Sequence, residues 1–222
     1  LAKNFREPQD FVLVVGSKCP RIFNCTSELP AYPAVKVFSH PNFDICNLHH
    51  DIAVIELGGD VNATDAVPIC MPAENEEIPD LIKVIGYGLN GNSGEDNLLQ
   101  MATREYYGTD PWLIFTGDST VELCKGDSGG PLFHRKRNRY VLLGVFSAGA
   151  NVKCKDVEIN EYSDEWSGKD IFEEAHENLK KGKITQNEFN KMMRFIKFAI
   201  HADVRQDLEW ICYITGVCPD GQ

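Results

Sequence analysis

The run Cys124-Lys-Gly-Asp-Ser-Gly-Gly-Pro-Leu132 holds the densest chemistry in the sequence. A serine hydroxyl attacks a carbonyl carbon only when a base takes its proton and donors receive the charge that grows on the carbonyl oxygen. Glycines on both sides of Ser128 let substrate and backbone approach closely, and the amides of Gly126 and Ser128 can then aim at one point, an oxyanion hole. The same residues would also serve a plain glycine-rich turn between strands. The reactive residue at the centre favours the chemical reading.

Short strands must position this turn. Phe11–Val15, Ala34–Phe38, Ile52–Leu57, Leu81–Ile85 and Tyr140–Phe146 are β-branched or aromatic runs bounded by Gly, Pro, Asn or Asp. Their brevity and spacing predict an antiparallel sandwich or barrel. The stretch from Gly86 to Asn97, rich in glycine and asparagine, reads as a surface loop. After Cys154 the pattern changes. From Ser167 to Ile200, apolar residues at spacings of three and four predict two amphipathic helices, the second opened by the capping box Thr185-Gln-Asn-Glu188. A final helix is predicted from Asp203 to about Ile211, and Met192 and Met193 read as core filler.

Composition narrows the function. The 222 residues carry 33 acidic against 22 basic side chains, a net charge of -11, which repels phosphate backbones and argues against nucleic acid as a partner. No apolar run reaches the roughly 18 residues of a membrane span, so no membrane partner is expected. Eight widely spaced cysteines do not form the close pairs that hold zinc, and neither a metal nor another cofactor is expected. The cysteines read instead as disulfides. With the sequons at Asn24 and Asn62 they point to a secreted, extracellular glycoprotein. Cys212 and Cys218 are near enough in sequence to bridge each other.

Gly126-Asp-Ser-Gly-Gly-Pro131 resembles the active-serine motif of the chymotrypsin/trypsin-like serine peptidases. Further landmarks follow in that family's order: His49-His-Asp-Ile-Ala-Val-Ile-Glu-Leu57, Pro68-Ile-Cys-Met-Pro72, Gly86-Tyr-Gly88, Ser147-Ala-Gly149 and the segment Asp203 to Trp210. The resemblance implies an all-β fold, a double Greek-key antiparallel barrel with the first barrel incomplete, a helical insertion and a C-terminal helix. It divides the chain into a partial N-terminal barrel (1–72), a C-terminal barrel with its terminal helix (73–162 and 201–222) and the insertion (163–200).

The same resemblance assigns roles. Ser128 would be the nucleophile and Asp51 the acid that orients the base. Asp127 resembles the aspartate that pairs with the amino terminus released on activation; without an Ile-Val-Gly-Gly-like segment here it has no evident internal partner. Glu122 stands where the family's trypsins have their pocket-floor aspartate, so a preference for Arg or Lys at the cleaved position is expected. Ser147 and Gly149 would form the substrate-binding edge, and Cys124 and Cys154 the disulfide bracing the pocket. No Ala-Ala-His-Cys-like stretch exists. The family's base precedes its acid by about 45 positions, which puts the histidine at or before Leu1 in a longer precursor.

The reading is therefore a serine-type endopeptidase acting through an acyl-enzyme at Ser128, inactive as this chain alone. Its partners would be protein or peptide substrates and a protein inhibitor or an exosite partner, the insertion being the candidate exosite, and the molecule would be monomeric. The alternative is a non-catalytic homologue that binds peptides or partners. His49 and His50, neighbours of Asp51 on the same strand, are not expected to replace the base, and the six histidines read as satisfied or exposed. Gly182 to Glu188 resembles the second half of an EF-hand loop, but Leu179 and Lys181 cannot coordinate calcium, and a turn between helices is expected.

Overall fold

The computed structural model describes residues 7–16, 21, 30–90, 98–118, 121–149, 168–195 and 197–219. The first part is a three-stranded antiparallel sheet of β1 (Val12–Val14), β2 (Ala31–Ser39) and β3 (Ala53–Leu57), in the order β1-β2-β3. Six further strands close a barrel: β4 (Leu81–Gly86), β5 (Gln100–Asp110), β6 (Leu113–Gly117), β7 (Pro131–Lys136), β8 (Arg139–Gly149) and β9 (Ala199–Asp203), in the order β4-β5-β6-β9-β8-β7. One closed barrel beside a second, three-stranded sheet, with few helices, agrees with the expected fold. Among the described residues no helix is long and apolar enough to cross a membrane.

Alternation puts Ile82, Val84, Ile114, Leu132 and Leu143 inside the barrel, each nearly sealed from solvent. The helices α1 (Gly168–Lys180) and α2 (Gln186–Phe195) form a hairpin on the outside of β5 and β6. Phe172, Ala175, Phe189 and Met193 bury against Tyr107, Leu113, Phe115 and Phe198, so Met193 is core, as expected. The Thr185 box is formed: Thr185 N donates to Glu188 Oε2 at 2.8 Å and Glu188 N donates to Thr185 Oγ1 at 3.3 Å. Glu188 is thereby committed to capping.

Two boundaries depart from the sequence reading. The helical pattern assigned through Ile200 ends at Phe195, and Ile200 lies in β9, paired with Phe115 of β6 and Ala148 of β8. Spacing alone cannot separate a short apolar strand from a helix end; here hydrogen bonds from two neighbouring strands decide. The terminal segment opens as a 3-10 turn, Val204–Gln206, and only then becomes the helix α3 (Leu208–Thr215), which ends at Gly216 with φ 73°. Val204, Leu208 and Ile211 pack α3 onto Ile52, Met71, Leu142 and Val145. Cys212 and Cys218 are disulfide-bonded, as their proximity suggested.

Candidate active site

The segment 121–130 joins β6 to β7 through consecutive turns. Gly126 has φ 102°, a conformation that glycine adopts without a Cβ penalty. Asp127 turns inward. Its Oδ1 accepts from Gly88 N at 2.8 Å and its Oδ2 from Cys124 N at 2.9 Å. A Cβ on Gly86 or Gly88 would come within 2.2 or 2.4 Å of that carboxylate, so the Gly86-Tyr-Gly88 motif is the space the aspartate fills. Asp127, expected to lack an internal partner, therefore has two backbone amides. Ser128 and Gly126 remain exposed, while Glu122 is half-buried.

The turn is stitched to β8. Gly129 N donates to Phe146 O and Phe146 N to Gly130 O, both at 2.9 Å. Ser147 follows Phe146, and its Oγ donates to Asp51 Oδ2 at 2.7 Å. One dipeptide of β8 thus grips the serine turn with its backbone and the distant carboxylate with its side chain. Asp51 and Ile52 lie just before β3, and Ile52 packs against α3, so the barrel strand joins a residue of the N-terminal sheet region to the turn. Gly149 lies half-buried at the end of β8.

The remaining expected residues divide. Cys124 is buried and disulfide-bonded; Cys154 lies outside the described residues, as does Asn24. Asn62 is exposed in a turn, its Oδ1 accepting from Thr64 N at 3.0 Å. Cys46 and Cys70 are free thiols.

Among the described residues no histidine is hydrogen-bonded to Ser128. His50 Nδ1 lies 2.6 Å from Asp207 Oδ1, and His40 Nε2 lies 3.6 Å from the same oxygen. The two imidazoles stack with centroids 4.3 Å apart and planes within 5°. Burial, countered in part by Asp207, keeps the His40 pKa below its ordinary value. His49 faces Asp110 and the Trp112 ring, and His176 packs on Phe172. His134 Nε2 is 3.2 Å from Glu76 Oε1 but off the line a ring hydrogen bond requires, and it has no hydrogen-bond partner. His201, read as a residue ahead of the last helix, is sealed inside the barrel. Its Nε2 lies 3.0 Å from Thr116 Oγ1, its Nδ1 has no partner, and burial, aided by Arg104, pulls its pKa down to about 3.

Sequence reasoning missed two polar assemblies. Arg104, fully buried, donates to Thr116 Oγ1 and to the carbonyls of Val121 and Lys197, so one guanidinium holds β6, the stretch before Glu122 and the return from the helical hairpin. Burial lowers its pKa to about 10, partly offset by Asp118, and it stays cationic at neutral pH. Glu76 is clamped by Lys136 Nζ at 2.8 and 2.9 Å beside a cavity of about 480 Å³, which includes neither Ser128 nor Asp51. Neither assembly has a local sequence signature, because each is closed by residues far apart in the chain.

Comparison with known proteins bears on this geometry. The sequence model of the Trypsin family matches residues 26–164. Clotting factor C of Tachypleus tridentatus is 32% identical over 149 residues, 54% of this chain and 15% of that protein. CLIP domain-containing serine protease B15 of Anopheles gambiae is 30% identical over 156 residues, 57% of this chain and 43% of that protein. The chain therefore spans less than half the length of these relatives. With its closed barrel, glycine-rich serine turn and matched family model, the chain belongs to the trypsin-like serine peptidase family.

Proposed function

We propose that this chain supplies the nucleophile, the acid and the oxyanion hole of a serine endopeptidase that cleaves secreted or extracellular proteins through an acyl-enzyme at Ser128. The observation that carries the reading is the attachment of the Ser128 turn and of Asp51 to the same dipeptide, Phe146-Ser147. In this reading Ser128 Oγ attacks the scissile carbonyl carbon, and the carbonyl oxygen takes up negative charge opposite the amides of Gly126 and Ser128. One such donor is worth about 2.7–4 kcal/mol in transition-state stabilisation. The tetrahedral species collapses, the amine departs with a proton from the base, and water then releases the acyl group by the same steps.

Asp51 would serve by orienting an imidazole and stabilising its cation; Ser147 Oγ, donating to Oδ2, holds the carboxylate in place for that role. No histidine is hydrogen-bonded to Ser128 among the described residues, so the reading assigns the proton acceptor to polypeptide outside these 222 residues. Ser128 in the chain by itself is then expected to be unreactive. Glu122 on the pocket floor would favour a basic residue at the cleaved position. Asp127 would exchange its bonds to the Gly88 and Cys124 amides for an amino terminus on activation. The exposed sequon at Asn62 would carry glycan.

The test is kinetic and uses the full-length natural protein. Replacing Ser128 by Ala should abolish turnover of a peptidyl ester, and Asp51→Asn should lower kcat by about 10⁴-fold. Full activity in Ser128→Ala would refute the assignment. A folded full-length protein with no turnover of its own would instead favour a non-catalytic homologue that binds peptides.

A further inference from the structure

Three carboxylates are buried among the described residues. Glu76 is held by Lys136 and Asp203 by Arg205; among the described residues, the ion-pair neighbours of Asp207 are the imidazoles of His50 and His40 alone. A buried carboxylate requires a cation or it gives up its charge. Asp207 is moreover the N-cap residue of α3, where aspartate ordinarily bonds the first helical amides, yet its side chain makes no capping bond and turns to the histidines.

We propose that His40, His50 and Asp207 form a binding site for a divalent transition ion of the zinc type, completed by one water. One ligand atom from each of His40, His50 and Asp207 lies within 4.8 Å of the other two, a two-imidazole, one-carboxylate set suited to zinc in an open tetrahedral site. Trp210 lies edge-on to His40 at 4.6 Å and Trp112 beside His50 at 5.4 Å, so the donors sit in an aromatic shell that strengthens charge interactions. The His50 side chain is 16% exposed, against 6% for His40, which opens the side by which an ion enters and where the water ligand sits.

Loading requires two adjustments. The stacked rings are parallel, so their in-plane lone pairs do not meet at one point. The His50 ring, on the open side, turns about its Cβ–Cγ bond to meet the ion. His40 Nδ1 now accepts from Asn42 N at 3.2 Å; binding through Nε2 shifts the ring proton to Nδ1 and gives up that bond. The proton on His50 Nδ1 leaves to solvent, as metal binding to imidazole requires. The ligands come from the end of β2, the loop before β3 and the start of α3. The loaded ion therefore staples the N-terminal sheet to the terminal helix one residue from Asp51. Uptake does not depend on the peptidase reading.

The experiment uses the chain stripped with chelator and titrated with cobalt(II), then with zinc(II) in a calorimeter. One equivalent should bind, with the visible d–d bands of tetrahedral cobalt, a change in tryptophan emission from Trp112 and Trp210, and a rise in the thermal midpoint. The variants His50→Asn and Asp207→Asn should each weaken binding by at least about 100-fold, more than a supporting partner's loss would cause. His49→Asn should bind as the parent does. Circular dichroism checks folding of each variant; if Asp207→Asn unfolds, His50→Asn decides alone. The proposal is overturned if no d–d bands appear, if His50→Asn binds like the parent, or if a thiolate charge-transfer band places the ion on Cys46 or Cys70.

Discussion

Ser147 Oγ and Asp51 Oδ2, 2.7 Å apart, form a charge-assisted hydrogen bond between groups 96 positions apart in sequence. Ser147→Ala leaves the half-buried carboxylate one donor short and should destabilise the chain by about 1 kcal/mol, read from urea unfolding. Asp127 presents a sharper case. In Asp127→Asn one oxygen becomes an NH₂ that faces a backbone N–H of Gly88 or Cys124, and the expected cost is about 1–3 kcal/mol. An unchanged denaturation midpoint would show that the carboxylate is not held as described. Ser128, Asp51, Asp127 and Ser147 stand out as candidates in the sequence, because each sits in a short motif whose members are adjacent. Asp207 does not: its partner His50 is 157 positions away, and nothing near it in the chain marks it as anything but a helix cap.

Strands β1 to β4 and β8 were readable from β-branched runs, whereas β5, β6, β7 and β9 were not. In β5 the inward position at residue 104 holds an arginine, fully buried, where a reader of alternation expects an apolar residue. β9 carries His201 on its buried face, and β7 begins at a proline. The polar chain Arg104–Thr116–His201, one residue on each of β5, β6 and β9, thus works against pattern reading by filling part of the barrel with hydrogen bonds instead of hydrocarbon. The helical hairpin was legible because its apolar stripe and cap agree. Phe172, ringed by Tyr107, Phe115 and Phe198 at 5.3–5.8 Å, should cost about 3–5 kcal/mol on replacement by Ala. Thr185→Ala should cost about 1 kcal/mol and act on α2 alone. Amide exchange resolves the two: global loosening for the first, faster exchange confined to 186–195 for the second.

Taken whole, the molecule is a closed barrel that carries an open sheet at one end of its chain and α3 at the other, with buried titratable groups that make it acid-sensitive. His201 is neutral when folded, its pKa drawn from 6.5 to about 3. Between these values the unfolded chain takes up a proton that the folded one refuses. His201 therefore costs no stability above about pH 6.5 and progressively lowers it as pH falls toward 3, by about 1.4 kcal/mol per pH unit. His201→Phe should flatten that slope in pH-dependent urea unfolding, and an unaltered slope would show that the ring titrates normally. Burial pushes the Glu76 pKa up, but the bonds and charge of Lys136, with His134, outweigh it and leave the carboxyl below its ordinary value. Its contribution is present above the ordinary glutamate range and is lost as pH falls through the folded value. Lys136→Met should reduce that acid-side loss.

Family membership is settled by the matched model and the barrel; whether the serine turn performs acyl transfer is a question for Ser128 itself. The most direct measurement is labelling of the full-length natural protein with a fluorophosphonate, followed by mass spectrometry of the adduct, beside the 222-residue chain as a control. The account predicts covalent modification at Ser128 in the full-length protein, loss of that adduct in Ser128→Ala, and no adduct in the isolated chain. A folded full-length protein whose Ser128 stays unmodified would contradict it.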